Sequence, residues 1–494
     1  MECVRSASYS LSLNGEIFGY FKGRKGLRQG DPLSPLLFTI AMEYLSRVLR
    51  FTTTTMPFKF HPLYDSLQLS HLMFADDLLL FSKGDIPSIM VLLRSFATFS
   101  CASGLQLNPT KTNAYFNGVS SWVKKDILQV SGCKEGQMPF RYLGIPITCG
   151  RMKKSDCTIL VEKLIDKVRS FGSRKLSYAG RLANIFIIPK GVLNKINAIC
   201  RNYLWDGNVE YIRVPMVSWD KSCSPKAEGG LVIRESYAWN LATVGKLVWW
   251  IYCCPDRLWV RWISNVYLKG YSWTGYTSVG DISWGRKTVC KVRDKLAAGF
   301  TNGQWVLGNK GYTVNSGYEL LRQKYQEVHW HKCVWNSWVI PKHHFVGWLV
   351  AREALQLKDR LFTLGIASDD ICFLCGAAAE NFEHLFQTCM YSSRVMFEVA
   401  RLCEFSIPPR NVVQWVGDCK LSQLKEGMIL CLIHAAHYHI WFQRNKERVD
   451  GCLLRPEAIL KFIKKDSGLW LKTKIGPCID RRDQDWVNRF MLRM

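Results

Sequence analysis

The chain has 494 residues, with 66 Lys and Arg against 40 Asp and Glu and a formal net charge of +26 at pH 7. This length predicts two to four domains with packed apolar cores. The positive excess favours a polyanionic partner, because basic side chains release counterions when they meet phosphates, and no lipidation signal or strongly basic amphipathic helix indicates a membrane surface instead.

The first informative segment is a basic, glycine-containing loop at residues 25–35, which reads KGLRQGDPLSP. An apolar run at 36–42 follows it and predicts a helix. Proline suits the start of a helix, because the first N–H groups have no partner within the helix. Those N–H groups, together with Lys25 and Arg28, can face a phosphate.

Residues 70–82 place Asp76 and Asp77 between two short apolar runs. This pattern predicts a β-hairpin with both acids at its tip. Two adjacent carboxylates repel each other unless a cation neutralises them, and carboxylate oxygen suits Mg²⁺ or Mn²⁺. The alternative is a solvated turn, in which Asp is a favoured residue.

Beyond the hairpin, an apolar stripe predicts an amphipathic helix that ends at Gly104, and a strand follows it. Further stripes predict helices around 160–171 and 193–204. Tryptophans crowd residues 205–284, and we expect most of them to pack in a core rather than to stack on bases. Residues 269–317 are rich in Gly, Ser, Thr and Asn and predict loops with short strands.

A second metal-ligand pattern lies near the C-terminal end, where the spacing C-x2-C-x8-H-x4-C comprises Cys372, Cys375, His384 and Cys389. Three thiolates and an imidazole can close a tetrahedral Zn²⁺ site. The alternative is a set of buried free cysteines beside a core histidine. His343 and His344 are not expected to join this site, because they fall about thirty residues upstream in an apolar, helix-like run. The apolar stretch at 428–442 predicts a buried helix rather than a membrane span.

Four motifs in this order resemble the palm of a reverse transcriptase, most closely the type encoded by plant non-LTR (LINE-like) retrotransposons. They lie at 26–35, 74–77, 104–111 and 140–146. The surroundings of the cysteine motif are similar to the zinc-binding region of the same proteins. The resemblance implies RNA-directed DNA synthesis with Mg²⁺, an RNA template, a DNA primer and a structural Zn²⁺. No protein partner is indicated.

The resemblance also assigns roles to individual residues. Asp76 and Asp77 would hold Mg²⁺, and Lys111 would approach the departing pyrophosphate. The remaining assignments are Arg28, Gln29, Gly30, Phe74 and Ala75 for nucleotide and template binding, Tyr142, Leu143 and Gly144 for the primer grip, and Cys372, Cys375, His384 and Cys389 for zinc.

One expected carboxylate is missing from this pattern. Two-metal phosphoryl transfer needs more ligands than two adjacent aspartates provide, and the family supplies a further Asp from an earlier palm strand. The acids before Asp76 are Glu2, Glu16, Asp31, Glu43 and Asp65, and none lies in a comparable motif. We therefore expect a polymerase remnant without fingers, first palm strand or endonuclease, inactive as it stands. The alternatives are a non-catalytic, zinc-containing nucleic-acid-binding protein and a pseudogene product.

The predicted fold class is α+β. It comprises a partial palm with a ferredoxin-like sheet at 1–150, a helical thumb-like and Trp-rich region at 151–268, a linker at 269–328, a zinc-binding domain at 329–420 and a C-terminal helical region at 421–494. The N-terminus lacks the apolar core of a signal peptide, and the 19 cysteines are odd in number. We expect reduced thiols and an intracellular location, with the nucleus favoured by the resemblance.

Overall fold

Two compact units divide the chain in the computed structural model. It describes residues 8–23, 26–27, 30–108, 111–143, 145–147, 153–158, 161–162, 165–166, 186–207, 215–273, 275–276, 284–301, 305, 311–404, 419, 421–475 and 480–494. The first unit takes in the described parts of 1–160, 174–189 and 240–317, and the second takes in those of 161–173, 190–239 and 318–494.

Helices dominate the described residues, and short strand pairs accompany them near the N-terminal end. The strands are β1 (Ser8–Leu13), β2 (Glu16–Lys22), β3 (His71–Phe74), β4 (Asp77–Leu80), β5 (Asn113–Ala114), β6 (Lys134–Glu135), β7 (Phe140–Tyr142) and β8 (Ile145–Ile147). The helices are α1 (Ser34–Thr55), α2 (Ile86–Ser103), α3 (Ser121–Ser131), α4 (Lys190–Asp206), α5 (Trp219–Ser222), α6 (Ser236–Cys253), α7 (Leu258–Ile263), α8 (Trp284–Thr301), α9 (Val314–Leu321), α10 (His331–Val334), α11 (Pro341–Ala351), α12 (Lys358–Thr363), α13 (Met390–Leu402), α14 (Gln423–Asp450), α15 (Pro456–Lys474) and α16 (Arg481–Arg493). The predicted α+β class is confirmed.

Helix α1 begins and helix α2 ends where the sequence predicts. Helix α1 carries a proline in its first turn, where the missing N–H costs nothing. Helix α2 starts after Asp85, whose carboxylate accepts a hydrogen bond from the backbone N–H of Ser88. It ends at Gly104, whose φ of 74° is in the left-handed region that favours glycine.

These two helices pack against each other and form a small apolar core. Leu45 and Leu49 from α1 meet Leu92 and Phe99 from α2, and all four are buried. The Thr52 and Ser95 hydroxyl groups, one from each helix, lie 2.6 Å apart inside the contact. The core provides a platform on which the β3–β4 hairpin rests.

The described strands form two-stranded pairs only. The pairs are β1 with β2, β3 with β4, β5 with β6 and β7 with β8; the β5–β6 pair is parallel and the others are antiparallel. The ferredoxin-like sheet that the resemblance implies is therefore not assembled among the described residues. Its central hairpin is present, but neither outer edge of that hairpin pairs with a further strand within those residues.

The prediction of loops with short strands over 269–317 is wrong for residues 284–301, which form helix α8. The burial pattern gives the reason. Val292, Leu296 and Phe300 recur every four residues and are buried, which is the spacing of one helix face. The glycines, serines and threonines around them dominate the average composition of the segment and obscure this stripe.

The second unit has a large helical core. Its buried residues come mainly from α11, α13, α14 and α15, including Val346, Leu349, Val395, Val399, Leu430, Ile433, Ile459 and Ile463. The stretch 428–442 lies inside α14 and is largely buried, as predicted. The predicted stripe at 160–171 falls mostly outside the described residues.

Among the described helices, α2 is the one that is long and apolar enough to cross a membrane by length and composition. This is weak evidence for a membrane span, because core helices pass the same test. Here Val91, Leu92 and Phe99 of α2 are buried within the first unit.

Candidate functional site

Asp76 and Asp77 lie at the tip of the β3–β4 hairpin, as predicted. The strands pair from His71 with Leu80 to Phe74 with Asp77, so Ala75 and Asp76 form a two-residue turn. Ala75 has a φ of 51°, a left-handed conformation that costs energy for a residue other than glycine. Both carboxylates are exposed. The turn therefore presents them together toward solvent.

The base of this hairpin is fixed to helix α1. The hydroxyl group of Ser46 lies 2.9 Å from His71 Nε2, and the hydroxyl group of Ser70 lies 2.9 Å from His71 Nδ1. Met73 and Leu78 pack against the α1–α2 core. Burial lowers the pKa of His71, which favours the neutral ring. The end of the hairpin opposite Asp76 and Asp77 is therefore held by hydrogen bonds and by apolar packing.

No third ligand joins the aspartates within the part of the chain that the structure describes. Groups of three or more Asp, Glu, His or Cys close enough to share an ion occur elsewhere, but none includes Asp76 or Asp77. Two of the earlier acids have other partners. Glu43 pairs with Arg47 at 3.1 Å, and the Asp31 carboxylate accepts a hydrogen bond from the backbone N–H of Leu33 at 2.7 Å.

Two of the other predicted site residues lie close to the aspartate tip. Tyr142 ends strand β7, and partial burial together with the negative charge of Asp77 raises the pKa of its phenol. Phe74 is the neighbour of the turn on β3 and is 56% exposed.

For the remaining predicted residues of this region, the structure gives backbone conformation and exposure. Leu143 turns between β7 and β8 with a φ of 52°. Gly30 has a φ of 90° just before α1, and Lys111 is exposed, with its backbone N–H donating to Asn108. Arg28, Gln29 and Gly144 lie outside the described residues.

The cysteine motif of the second unit converges in space. Cys372, Cys375, His384 and Cys389 each offer one ligand atom, and these atoms all lie within 4.8 Å of one another. The distance from Cys375 Sγ to His384 Nε2 is 3.2 Å. Ligand atoms around a tetrahedral Zn²⁺ are about 3.4–3.8 Å apart, given Zn–N and Zn–S bonds near 2.0 and 2.3 Å. The donor set therefore fits one zinc ion.

Local backbone geometry brings these ligands together. The first pair lies on a knuckle that turns at Gly376, whose φ is 65°, and the Gly376 N–H donates to the carbonyl of Cys372 at 2.9 Å. His384 opens a short π-helical turn, and Cys389 lies at the N-terminus of α13. The Cys372 thiol and the backbone N–H groups at this helix start lower the pKa of Cys389, which favours the thiolate that metals bind.

Sequence reasoning missed Glu380, a buried acid inside the cysteine loop. Its carboxylate accepts hydrogen bonds from the backbone N–H of Phe373 at 3.3 Å and of Lys358 at 2.9 Å. It also forms an ion pair with Arg444 of α14, and both side chains are completely buried. Arg444 could have indicated this pair from the sequence. It lies on the same helix face as His437 and Ile440, and a charged side chain on a buried face needs a partner of opposite charge.

The aspartate hairpin and the cysteine–histidine cluster both lie in segments that match known protein families. Residues 2–147 match the family model described as reverse transcriptase (RNA-dependent DNA polymerase). Residues 312–395 match the model described as zinc-binding in reverse transcriptase. The first match contains the aspartate hairpin, and the second contains all four residues of the cysteine–histidine cluster. The chain is reverse transcriptase-like.

Relatives of this reverse transcriptase-like chain include retrotransposon proteins. A Pol polyprotein of the type-1 retrotransposable element R2 of Popillia japonica is 33% identical over 111 residues, covering 22% of this chain and 17% of the relative. A Pol polyprotein of the type-2 element R2DM of Drosophila melanogaster is 35% identical over 102 residues, covering 20% and 9%. A protein described as a ribonuclease H protein of Arabidopsis thaliana is 24% identical over 202 residues, covering 35% and 33%.

The chain spans a third or less of the length of each of these relatives. Residues 2–147 are therefore similar to reverse transcriptases, and residues 312–395 are similar to the zinc-binding segment of such proteins.

Proposed function

We propose that this chain binds nucleic acid and holds a structural zinc ion, and that it does not itself synthesise DNA. The observation that carries the proposal is the incomplete carboxylate set. Asp76 and Asp77 are presented on a polymerase-like hairpin, but the described residues bring no third acid to them. Two metals about 3.5–4 Å apart need a larger set of oxygen ligands to hold them over a primer end. The two aspartates alone do not fit such a centre.

The zinc assignment rests on the donor set in the second unit. Cys372, Cys375, His384 and Cys389 would hold Zn²⁺ with four protein ligands. No coordination position would remain for water, so the ion would fix the fold of the loop rather than activate a reactant.

A second candidate function is RNA-directed DNA polymerase activity of this chain itself. The exposed aspartate pair at the tip of the β3–β4 hairpin favours it, because this hairpin lies within the segment that matches reverse transcriptases. Mg²⁺ bound there would neutralise charge on the phosphates of an incoming nucleotide. The two candidate functions differ in whether Asp76 and Asp77 suffice to hold the catalytic metals. A polymerase assay tests this difference.

We expect the purified 494-residue chain to show no primer extension above background on an RNA template with Mg²⁺ or Mn²⁺, because the carboxylate set is incomplete. The measurement is gel-resolved extension of a labelled DNA primer. The matched control is Asp76→Asn, which removes one charge without changing side-chain size, and it should equal the wild-type chain. Nucleotide incorporation by the wild-type chain that disappears in Asp76→Asn would establish the polymerase function instead.

The wild-type chain and the Asp76→Asn variant should both bind nucleic acid, because binding arises from the net charge of +26. We expect the logarithm of the binding constant to fall linearly with the logarithm of salt concentration. The affinity should drop roughly ten-fold between about 50 and 200 mM salt for every two phosphates neutralised. Fluorescence anisotropy on RNA and DNA oligonucleotides of unrelated sequence measures this slope. Absence of binding at low salt would contradict both candidate functions.

A further inference from the structure

A second group of metal-ligating side chains lies in the second unit and is separate from the cysteine cluster. His343 of α11, His439 of α14 and Asp466 of α15 each offer one ligand atom, and the three atoms lie within 4.8 Å of one another. His439 Nε2 is 3.2 Å and His343 Nε2 is 3.9 Å from the Oδ2 atom of Asp466. We propose that these three residues bind a divalent first-row transition-metal ion.

The distances suit a shared ion. Two ligand atoms bound to one tetrahedral ion at 2.0–2.1 Å are about 3.3–3.4 Å apart. The observed separations of 3.2 and 3.9 Å lie close to that value. Two imidazoles and a carboxylate are a donor set for zinc, cobalt or iron, whereas magnesium and calcium prefer oxygen alone.

His343 provides the independent reason to expect a ligand. Its side chain has no exposed surface, and neither ring nitrogen makes a hydrogen bond in the structure. A buried imidazole without a hydrogen bond is costly, and an ion would satisfy it.

Lys342 competes with an ion for the Asp466 carboxylate. Its ammonium group donates to Asp466 Oδ2 at 2.6 Å. The Lys342 side chain is half exposed, so it can move into solvent when an ion enters. The Asp466 carboxyl group lines a surface cleft of about 340 Å³ together with Lys342 and Trp470. Three protein ligands leave a coordination position for water or an oxygen ligand, unlike the closed cysteine cluster.

The test is a Co²⁺ titration of the full chain after metal removal by a chelator. Co²⁺ bound to thiolates gives a strong charge-transfer absorption, whereas Co²⁺ bound to nitrogen and oxygen gives only weak visible bands. The two sites are therefore distinguishable in one titration. We expect two Co²⁺ ions per chain, the second without a thiolate signal.

The variants His439→Gln and Asp466→Asn should each weaken the second binding event by at least about ten-fold and leave the thiolate signal unchanged. Lys342→Met should strengthen the second event, because it removes a competing positive charge. The matched control His329→Gln changes an exposed histidine and should alter neither event. Circular dichroism verifies that each variant is folded.

Two results would overturn the proposal. One is a single Co²⁺ ion per chain whose absorption is that of a thiolate site. The other is a second binding event that His439→Gln and Asp466→Asn leave intact, or that His329→Gln removes. Asp466 is partly exposed, so its near-isosteric replacement by Asn keeps the test valid if His439→Gln fails to fold.

Discussion

Glu380→Ala will destabilise the second unit by about 3–5 kcal/mol, because it leaves the Arg444 guanidinium buried without a counter-charge. Both side chains of this ion pair have no exposed surface. The Arg444 side chain also lies over the rings of Phe373 and Trp441, at 5.0 and 5.1 Å, so it cannot reach water without disturbing them. Urea unfolding followed by circular dichroism and by protease sensitivity of α14 measures the loss.

The Glu404–Arg489 ion pair provides the matched control. It also joins Glu to Arg across a long sequence separation, but its side chains are 28% and 52% exposed. Glu404→Ala should cost less than about 1 kcal/mol. The double variant Glu380→Ala with Arg444→Met should be more stable than Glu380→Ala alone, since no unpaired charge remains. Equal effects of Glu380→Ala and Glu404→Ala would contradict this account of the buried pair.

Cys389→Ser will remove one equivalent of zinc from the chain and loosen the segment from about Ile371 to Leu402. In small zinc domains, structural zinc contributes about 10–16 kcal/mol of apparent binding free energy. Elemental analysis gives the zinc content. Limited proteolysis should show cleavage in this segment at least about ten-fold faster, whereas cleavage in the aspartate-hairpin region should not change.

Cys403→Ser is the control for this variant. Cys403 is also a buried cysteine of the second unit but lies outside the cluster, and burial raises the pKa of its thiol. Its substitution should preserve the zinc content, even if it costs some stability. A zinc content that is unchanged in Cys389→Ser would show that the four residues do not share an ion.

The sequence predicted the local elements well where one pattern dominated. The aspartate hairpin follows from two short apolar runs that flank an Asp-Asp pair, and the end of α2 follows from a left-handed glycine. The buried helix at 428–442 follows from the length of its apolar stretch. Ligand spacing also predicted the convergence of the cysteine motif, because all four residues lie within one short loop and its adjoining turn.

The remaining features depend on contacts between distant segments. Glu380 and Arg444 are 64 residues apart, and neither has a local pattern that specifies the other. The His343, His439 and Asp466 group draws on three helices, so no spacing rule applies to it. Helix α8 was missed for a different reason, because its apolar stripe of Val292, Leu296 and Phe300 lies within a polar composition.

The position of Glu380 has a consequence for thermodynamic linkage. The same carboxylate contacts the knuckle between Cys372 and Cys375, the start of α12 and the guanidinium group on α14. Order in the metal loop and the position of α14 therefore stabilise each other, and such coupling is reciprocal by necessity. An ion that orders the loop tightens the attachment of α14, and any partner that immobilises α14 lowers the dissociation constant of the ion.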